Sequence, residues 1–276
     1  MENDYIPAYD ESSLMRQVPH VLRARGFRLY LENGKRLIDL FLNGGAAVLG
    51  HTPPNLLREI KNSASRGLYA PYPHFTENRY IKALSKILPG RSFRLYAAPP
   101  EELTSFSNTI KLWRPFNNPE NPFKSDNTPL IIPVLPGIQS WRTYQNIKLP
   151  LGLCIAAVKN ELSESVFQKL PESDMFSSVL LAAAARGVYD ILASAQRAKP
   201  KLPRTFKALK SLPERWHKQG IYLKLRQETN DWKTLFHQFL DAGFLLPPNP
   251  SQPVILPGEL SDGEDAKLAA LLTSIY

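Results

Sequence analysis

A hairpin signal near the start of the chain has its natural companion only in the closing stretch, and this pairing constrains the fold more than any other feature. In residues 23–51, Phe27, Leu29 and Leu31 alternate with Arg28 and Tyr30. Asn33-Gly34 supplies a tight turn that tolerates positive φ, and residues 36–40 resume extended character. The closing stretch offers a strand over 220–225 and a helix with Trp232, Leu235, Phe236, Phe239 and Leu240 on one face. Asn230 or Asp231 caps that helix and Gly243 closes it. Two short strands follow around a proline-rich turn, and Ser261 with Glu264 forms a capping box for a last helix through Leu268, Leu271, Leu272 and Ile275. Helix, paired strands and helix are also the ingredients of residues 23–66, so the two ends are expected to share a sheet in one α+β unit.

Between them, Thr52-Pro53-Pro54 provides a hydroxyl cap and a fixed φ for a helix whose buried stripe is Leu56, Leu57, Ile60 and Ala64. Thr76 caps a second amphipathic helix, with Tyr80, Ile81, Leu84, Ile87 and Leu88 on one face. A strand over 93–97 leads to Pro99-Pro100-Glu101-Glu102, where proline and acids suit a helix start. Residues 114–129 lack periodicity and read as a loop, while the apolar runs 130–135 and 151–158 have the length of buried strands. Ser173 or Asp174 caps a helix over 177–195 that is apolar on most sides and therefore buried.

Hydrophobic content of 43% identifies a folded globular chain, and 25 prolines call for many short connections. No run approaches the roughly eighteen apolar residues of a membrane span, and the opening MENDYIPAYDESS is polar, so neither a signal peptide nor an anchor is expected. The single cysteine, Cys154, lies in an apolar run and reads as a buried structural thiol in a cytoplasmic protein. No metal site is expected. The formal net charge of +9 is carried by residues 197–226, where ten Lys or Arg face one acid, Glu214. Prolines and apolar residues thread that segment, which favours a solvated surface over a phosphate-binding stripe, and nucleic acid is a secondary reading.

Two places could line a pocket. Gly44, Gly45 and Gly50 allow close backbone approach by a ligand or by another chain segment. The loop 68–75 brings Tyr72 and His74 into a cluster of aromatic residues that suits a pocket or an interface between layers or subunits.

Residues 23–60 resemble the N-terminal portion of class III aminotransferases, through Arg25-Gly26, Leu29, Gly34, Ile38-Asp39, Leu49-Gly50-His51 and Pro54. The tail FHQFLDAGFLLPPNPSQPVILPGELSDGEDAKLAALL is similar to the C-terminal end of the glutamate-1-semialdehyde aminomutase branch. The resemblance implies an α/β chain with a reduced aminotransferase-like fold. A small α+β domain is formed by residues 1–70 and 197–276, and residues 71–196 form a shortened remnant of the large cofactor domain, whose sheet is mainly parallel in the family. It also implies a homodimer, or pairing with a related subunit.

Family chemistry uses pyridoxal phosphate and requires a lysine for the Schiff base, a carboxylate at the pyridine nitrogen and backbone N–H groups at the phosphate. Where the family has its hydroxyl-rich phosphate turn, this chain has Ala98-Pro99-Pro100-Glu101-Glu102, and proline has no N–H to donate. Residues 127–160 hold no Asp or Glu. Alignment on Pro150-Leu151-Gly152 places Thr143 near the lysine position and leaves Lys148, the one Schiff-base candidate, out of register. His51 is expected to fix the turn before the first long helix. The expectation is therefore a protein without catalytic residues or cofactor, acting as a binding or accessory subunit. The alternative is a pyridoxal-phosphate aminotransferase or aminomutase with an unorthodox site.

Overall fold

The computed structural model describes residues 11–67, 70–125, 127–137, 139–144, 147–226 and 231–274. A short helix α1 (Glu11–Met15) precedes strands β1 (Val21–Arg25), β2 (Arg28–Leu31) and β3 (Arg36–Asp39). Helices α2 (Pro54–Ala64) and α3 (Thr76–Ile87) lead to strands β4 (Arg91–Tyr96), β5 (Ile110–Trp113) and β6 (Leu130–Pro133). A hairpin, β7 (Ser140–Tyr144) and β8 (Ile147–Leu151), then gives way to β9 (Cys154–Lys159), α4 (Ser163–Phe167) and α5 (Ser178–Leu192). The remainder comprises α6 (Pro203–Ser211), β10 (Trp216–Gln219), β11 (Tyr222–Leu225), α7 (Trp232–Asp241), β12 (Phe244–Leu245), β13 (Val254–Ile255) and α8 (Asp262–Thr273). Two compact units result, one of Met1–Gly44 with Pro200–Tyr276 and one of Gly45–Lys199. The division falls at Gly44/Gly45 and not near residue 70, because α2 packs on α5.

In the first unit the two ends of the chain share a sheet of order β1-β2-β3-β12. The hairpin pairs Leu29 with Leu37, and β12 runs parallel to β3 with Phe244 beside Ile38. Asp231 accepts the Thr234 N–H at the start of α7, and Gly243 takes φ +87° after its last turn, a conformation glycine adopts without steric cost. Asn230 lies outside the described residues. A second sheet, β10-β11-β13, is tied to the first where the Ile255 N–H donates to the Leu40 carbonyl at 2.7 Å. Strand β10 departs from the sequence reading. Trp216 is buried there, and its Nε1–H donates to the Leu272 carbonyl in the last turn of α8.

The second unit is built on a sheet of order β4-β9-β6-β5. Here the expected mainly parallel sheet gives way to a mixed one. Strand β9 is antiparallel to both β4 and β6, and among these strands β5 and β6 form the parallel pair. Ile155, Ala156, Ala157 and Val158 of β9 are fully buried, as expected of a central strand covered on both faces. Helix α5 packs against α2 and α3. Gly187 on α5 meets Pro136 so closely that a Cβ there would lie 2.5 Å from the Pro136 Cβ.

Three expected caps are replaced. Helix α2 starts behind Pro53 with no side-chain cap, so Thr52 does not serve. At α3 the N-cap position falls to Phe75, which offers no side-chain bond, and the N–H of Thr76 donates to His74 Nδ1 at 3.3 Å. Ser177 caps α5, while Ser173 Oγ and Asp174 Oδ2 accept the Leu95 and Ala97 N–H groups along β4. The α2 stripe also differs. Asn55, Glu59 and Ser63 turn inward, and Leu57 and Ile60 are exposed. Asn55 donates to Asp190 and Glu59 pairs with Arg79, so a polar network holds the face that apolar spacing assigned elsewhere.

Candidate functional site

Family-like chemistry would sit in the second unit, at the end of β4. This strand delivers Tyr96 into a buried cluster with Leu149, Cys154 and Ala156, and the chain then turns through 97–100 into a 3-10 turn over Glu101–Phe106. The Ala97 N–H at that turn donates to Asp174 Oδ2 at 2.8 Å, and the Ala97 carbonyl accepts from the Gly152 N–H at 2.6 Å. Pro99 and Pro100 bring no donor. A phosphate needs several converging N–H groups. This turn gives one of its amides to a carboxylate of the chain itself and has proline at two positions. Its residues do not fit the phosphate of pyridoxal phosphate.

Lys148 lies on β8 opposite Thr143, half-buried, and burial pulls its ammonium down to about 8. A lysine with its pKa so lowered is a better nucleophile near neutral pH than a solvated one. Its neighbour Leu149 is buried in the core cluster, so the alternation of the strand turns Lys148 to the other face. Cys154 is fully buried and burial pushes its thiol up to about 12, which fits a structural and not a reactive role.

The four pocket candidates have different settings. Leu42, Asn43, Gly44 and Gly45 all have positive φ, and the turn is held by Asp39, whose Oδ1 accepts the N–H groups of Phe41 and Leu42 at 2.8 Å. Gly44 ends the first unit; in the second, Gly45 takes φ +112° and packs against Val134 and Arg114, so protein atoms occupy the space beside it. The Tyr72 ring is 63% exposed, and His74 Nδ1 faces both the backbone and the hydroxyl of Thr76. His51 is half-buried at the turn before α2. Asp174, which the sequence offered as a cap for α5, instead holds the turn after β4, a role that sequence reasoning missed. It sits 77 positions from the amide it holds, and no local pattern marks that contact.

The first unit contains a groove of about 410 Å³ between α6 and α8, which the sequence did not suggest. Among the described residues no cluster of three or more His, Cys, Asp or Glu could hold a metal ion, and no single helix is long and apolar enough to cross a membrane.

Solved aminotransferases share this architecture. Ornithine δ-aminotransferase of Plasmodium falciparum superposes with a TM-score of 0.66 at 9% identity, over 99% of this chain and 94% of that one. A transaminase with pyridoxal phosphate bound gives 0.62 at 13% identity, over 93% and 89%. The chain thus has a mixed α/β, aminotransferase-like fold. Among proteins compared by sequence, two described as uncharacterized are similar along most of their length. One from Borreliella burgdorferi is 27% identical, covering 91% of this chain and 89% of its own, and one from Treponema pallidum is 27% identical, covering 90% and 92%. A glutamate-1-semialdehyde 2,1-aminomutase of Lysinibacillus sphaericus matches 26% of this chain at 32% identity and 17% of its own length. No family model matches the chain.

Proposed function

We propose that this protein keeps the aminotransferase scaffold without its cofactor chemistry and acts as a cytoplasmic binding or accessory subunit, paired with a second copy or a related subunit. The observation that carries this reading is the turn after β4, where Asp174 holds the Ala97 amide and Pro99-Pro100 removes two donors. Pairing is supported by apolar side chains left uncovered on the second unit, Leu57 and Ile60 on α2 with Tyr72 and Phe75 in the loop before α3. The test is to add pyridoxal phosphate to the purified protein, reduce with borohydride and map any lysine adduct by mass spectrometry. Surface lysines labelled in proportion to exposure, with no visible absorbance band, are the expected result. A stoichiometric adduct at Lys148 would overturn the reading.

One observation favours a second reading, an aminotransferase or aminomutase with an unorthodox site. Lys148 is half-buried and its ammonium is lowered to about 8. The same trapping experiment decides between the two.

A further inference from the structure

We propose that the groove between α6 and α8 docks an acidic amphipathic helix of a partner protein. The floor is made of methyl groups, from Ala208 on α6 and Ala266, Ala269 and Ala270 on α8. The hydroxyls at the rim are already engaged within their own helices. Ser211 Oγ donates to the Ala208 carbonyl and Thr273 Oγ1 to the Ala270 carbonyl, each at 2.7 Å. The floor is therefore apolar in character, and it is shallow because its side chains are small. A guest helix can lay larger apolar side chains along it at i, i+3 or i+4, and i+7. The lining runs from Arg204 to Ser211 on one helix and Ala266 to Thr273 on the other, about two helical turns or roughly 10 Å on each side.

Charge selects the occupant. Of the ten cations in 197–226, five serve the protein's own structure. Arg197 donates to the Val48 carbonyl, Lys199 pairs with Glu120, Arg215 donates to the Thr273 carbonyl, Lys218 sits over Phe206, and Arg226 donates to the Pro213 carbonyl. Lys201, Arg204, Lys207 and Lys210 form no ion pair among the described residues, and Arg204 and Lys207 line the groove itself. Of the three acids on α8, Glu264 is committed to Arg28 and the buried Asp265 to the backbone at the start of α6, while Asp262 stands on the first turn, ahead of the lining residues. An apolar floor with an uncompensated positive wall is complementary to a helix with an apolar stripe flanked by Glu or Asp. A nucleic-acid strand fits less well, since no aromatic ring lines the groove for a base to stack on. The inference goes beyond the reading above and is independent of it, because an adduct at Lys148 would leave the groove test unchanged.

Fluorescence anisotropy with the full chain tests it. The probes are a labelled acidic amphipathic peptide of about fifteen residues with Leu at helical spacing, its scrambled version, and a labelled oligothymidylate. The helical peptide is expected to bind at least about tenfold more tightly than the scrambled one. Arg204→Glu with Lys207→Glu, or Ala269→Trp alone, should weaken it by about tenfold or more, whereas Lys61→Glu with Lys82→Glu, the same charge change on the other unit, should leave it within about twofold. Circular dichroism melts verify that each variant is folded, and the charge reversal serves if Ala269→Trp is not. The proposal is overturned if the peptide does not bind, if the scrambled peptide binds equally, if the control pair weakens binding as much, or if the oligothymidylate binds in place of the peptide.

Discussion

Asp265 of α8 accepts the Thr205 Oγ1–H at 2.6 Å and also accepts the N–H groups of Arg204 and Thr205, at 2.9 and 3.0 Å. Helix α6 starts with Pro203 behind Leu202, which provides no side-chain cap, so its first free amides are satisfied by a carboxylate from a helix some sixty residues later. Asp265→Ala would leave those buried donors unpaired and is expected to cost about 2 kcal/mol or more, whereas Thr205→Val, losing one bond, should cost about 1 kcal/mol. Urea denaturation of both variants measures the difference, and equal small effects would show that the cap is dispensable.

The capping-box glutamate has a second role. Glu264 accepts from the Ser261 N–H and also takes a two-pronged contact from Arg28 on β2, at 2.6 and 3.2 Å. Burial alone would raise the Glu264 carboxyl, but Arg28 and the Ser261 donors outweigh it and hold it at about 2. A carboxyl depressed in the folded state stabilises above its unfolded pKa of 4.5, and that contribution is lost as pH falls from there toward 2. The stability gap between wild type and Glu264→Gln should therefore be widest above about pH 5 and close progressively below about pH 4. Denaturant titrations across this range check the sign, and a gap that widens on acidification would refute it.

Two helical glycines should respond to alanine in opposite directions. At Gly187 a Cβ would lie 2.5 Å from Pro136 and 3.0 Å from its ring carbon, so the clash outweighs the helix propensity of alanine, and about 1–3 kcal/mol should be lost. At Gly263, on the first turn of α8, a Cβ meets nothing within 4 Å, and a gain of about 0.5 kcal/mol is expected. Paired thermal melts separate the two. A stabilised Gly187→Ala would mean that the loop around Pro136 yields.

Leu57 and Ile60 stand one turn apart on α2, 44% and 37% exposed. If a second copy covers them, Leu57→Glu with Ile60→Glu should shift the protein from dimer to monomer, with a change in chain stability of only about 0.5 kcal/mol, as for other surface positions. Analytical ultracentrifugation reads the mass directly, and an unchanged mass would remove this face from the assembly.

Features that depend on a few adjacent residues were legible in the sequence. The Asn33-Gly34 hairpin, the Ser261/Glu264 box and Gly243 after α7 follow from turn and cap chemistry, and each is in place. The burial of β9 followed from its unbroken apolar run. What escaped depends on partners distant in sequence. Apolar spacing pointed α2 inward along Leu57 and Ile60, but Asp190 and Arg79 draw Asn55 and Glu59 to that side. Strand β10 carries His217, Lys218 and Gln219 after Trp216, so it lacks the alternation that marks a strand. At the candidate site the missing donors of Pro99-Pro100 could be read directly. The role of Asp174 could not.

The parallel pairing of β3 with β12 also bears on how the chain folds. Ile38 and Phe244 are neighbours in the sheet yet lie about two hundred residues apart, so during synthesis the β2–β3 hairpin emerges long before its partner. The second unit, continuous from Gly45 to Lys199, can form meanwhile. That edge of β3 stays unpaired until residues 244–245 have been made, so closing this sheet is a long-range step that leaves a strand edge open to other chains in the meantime.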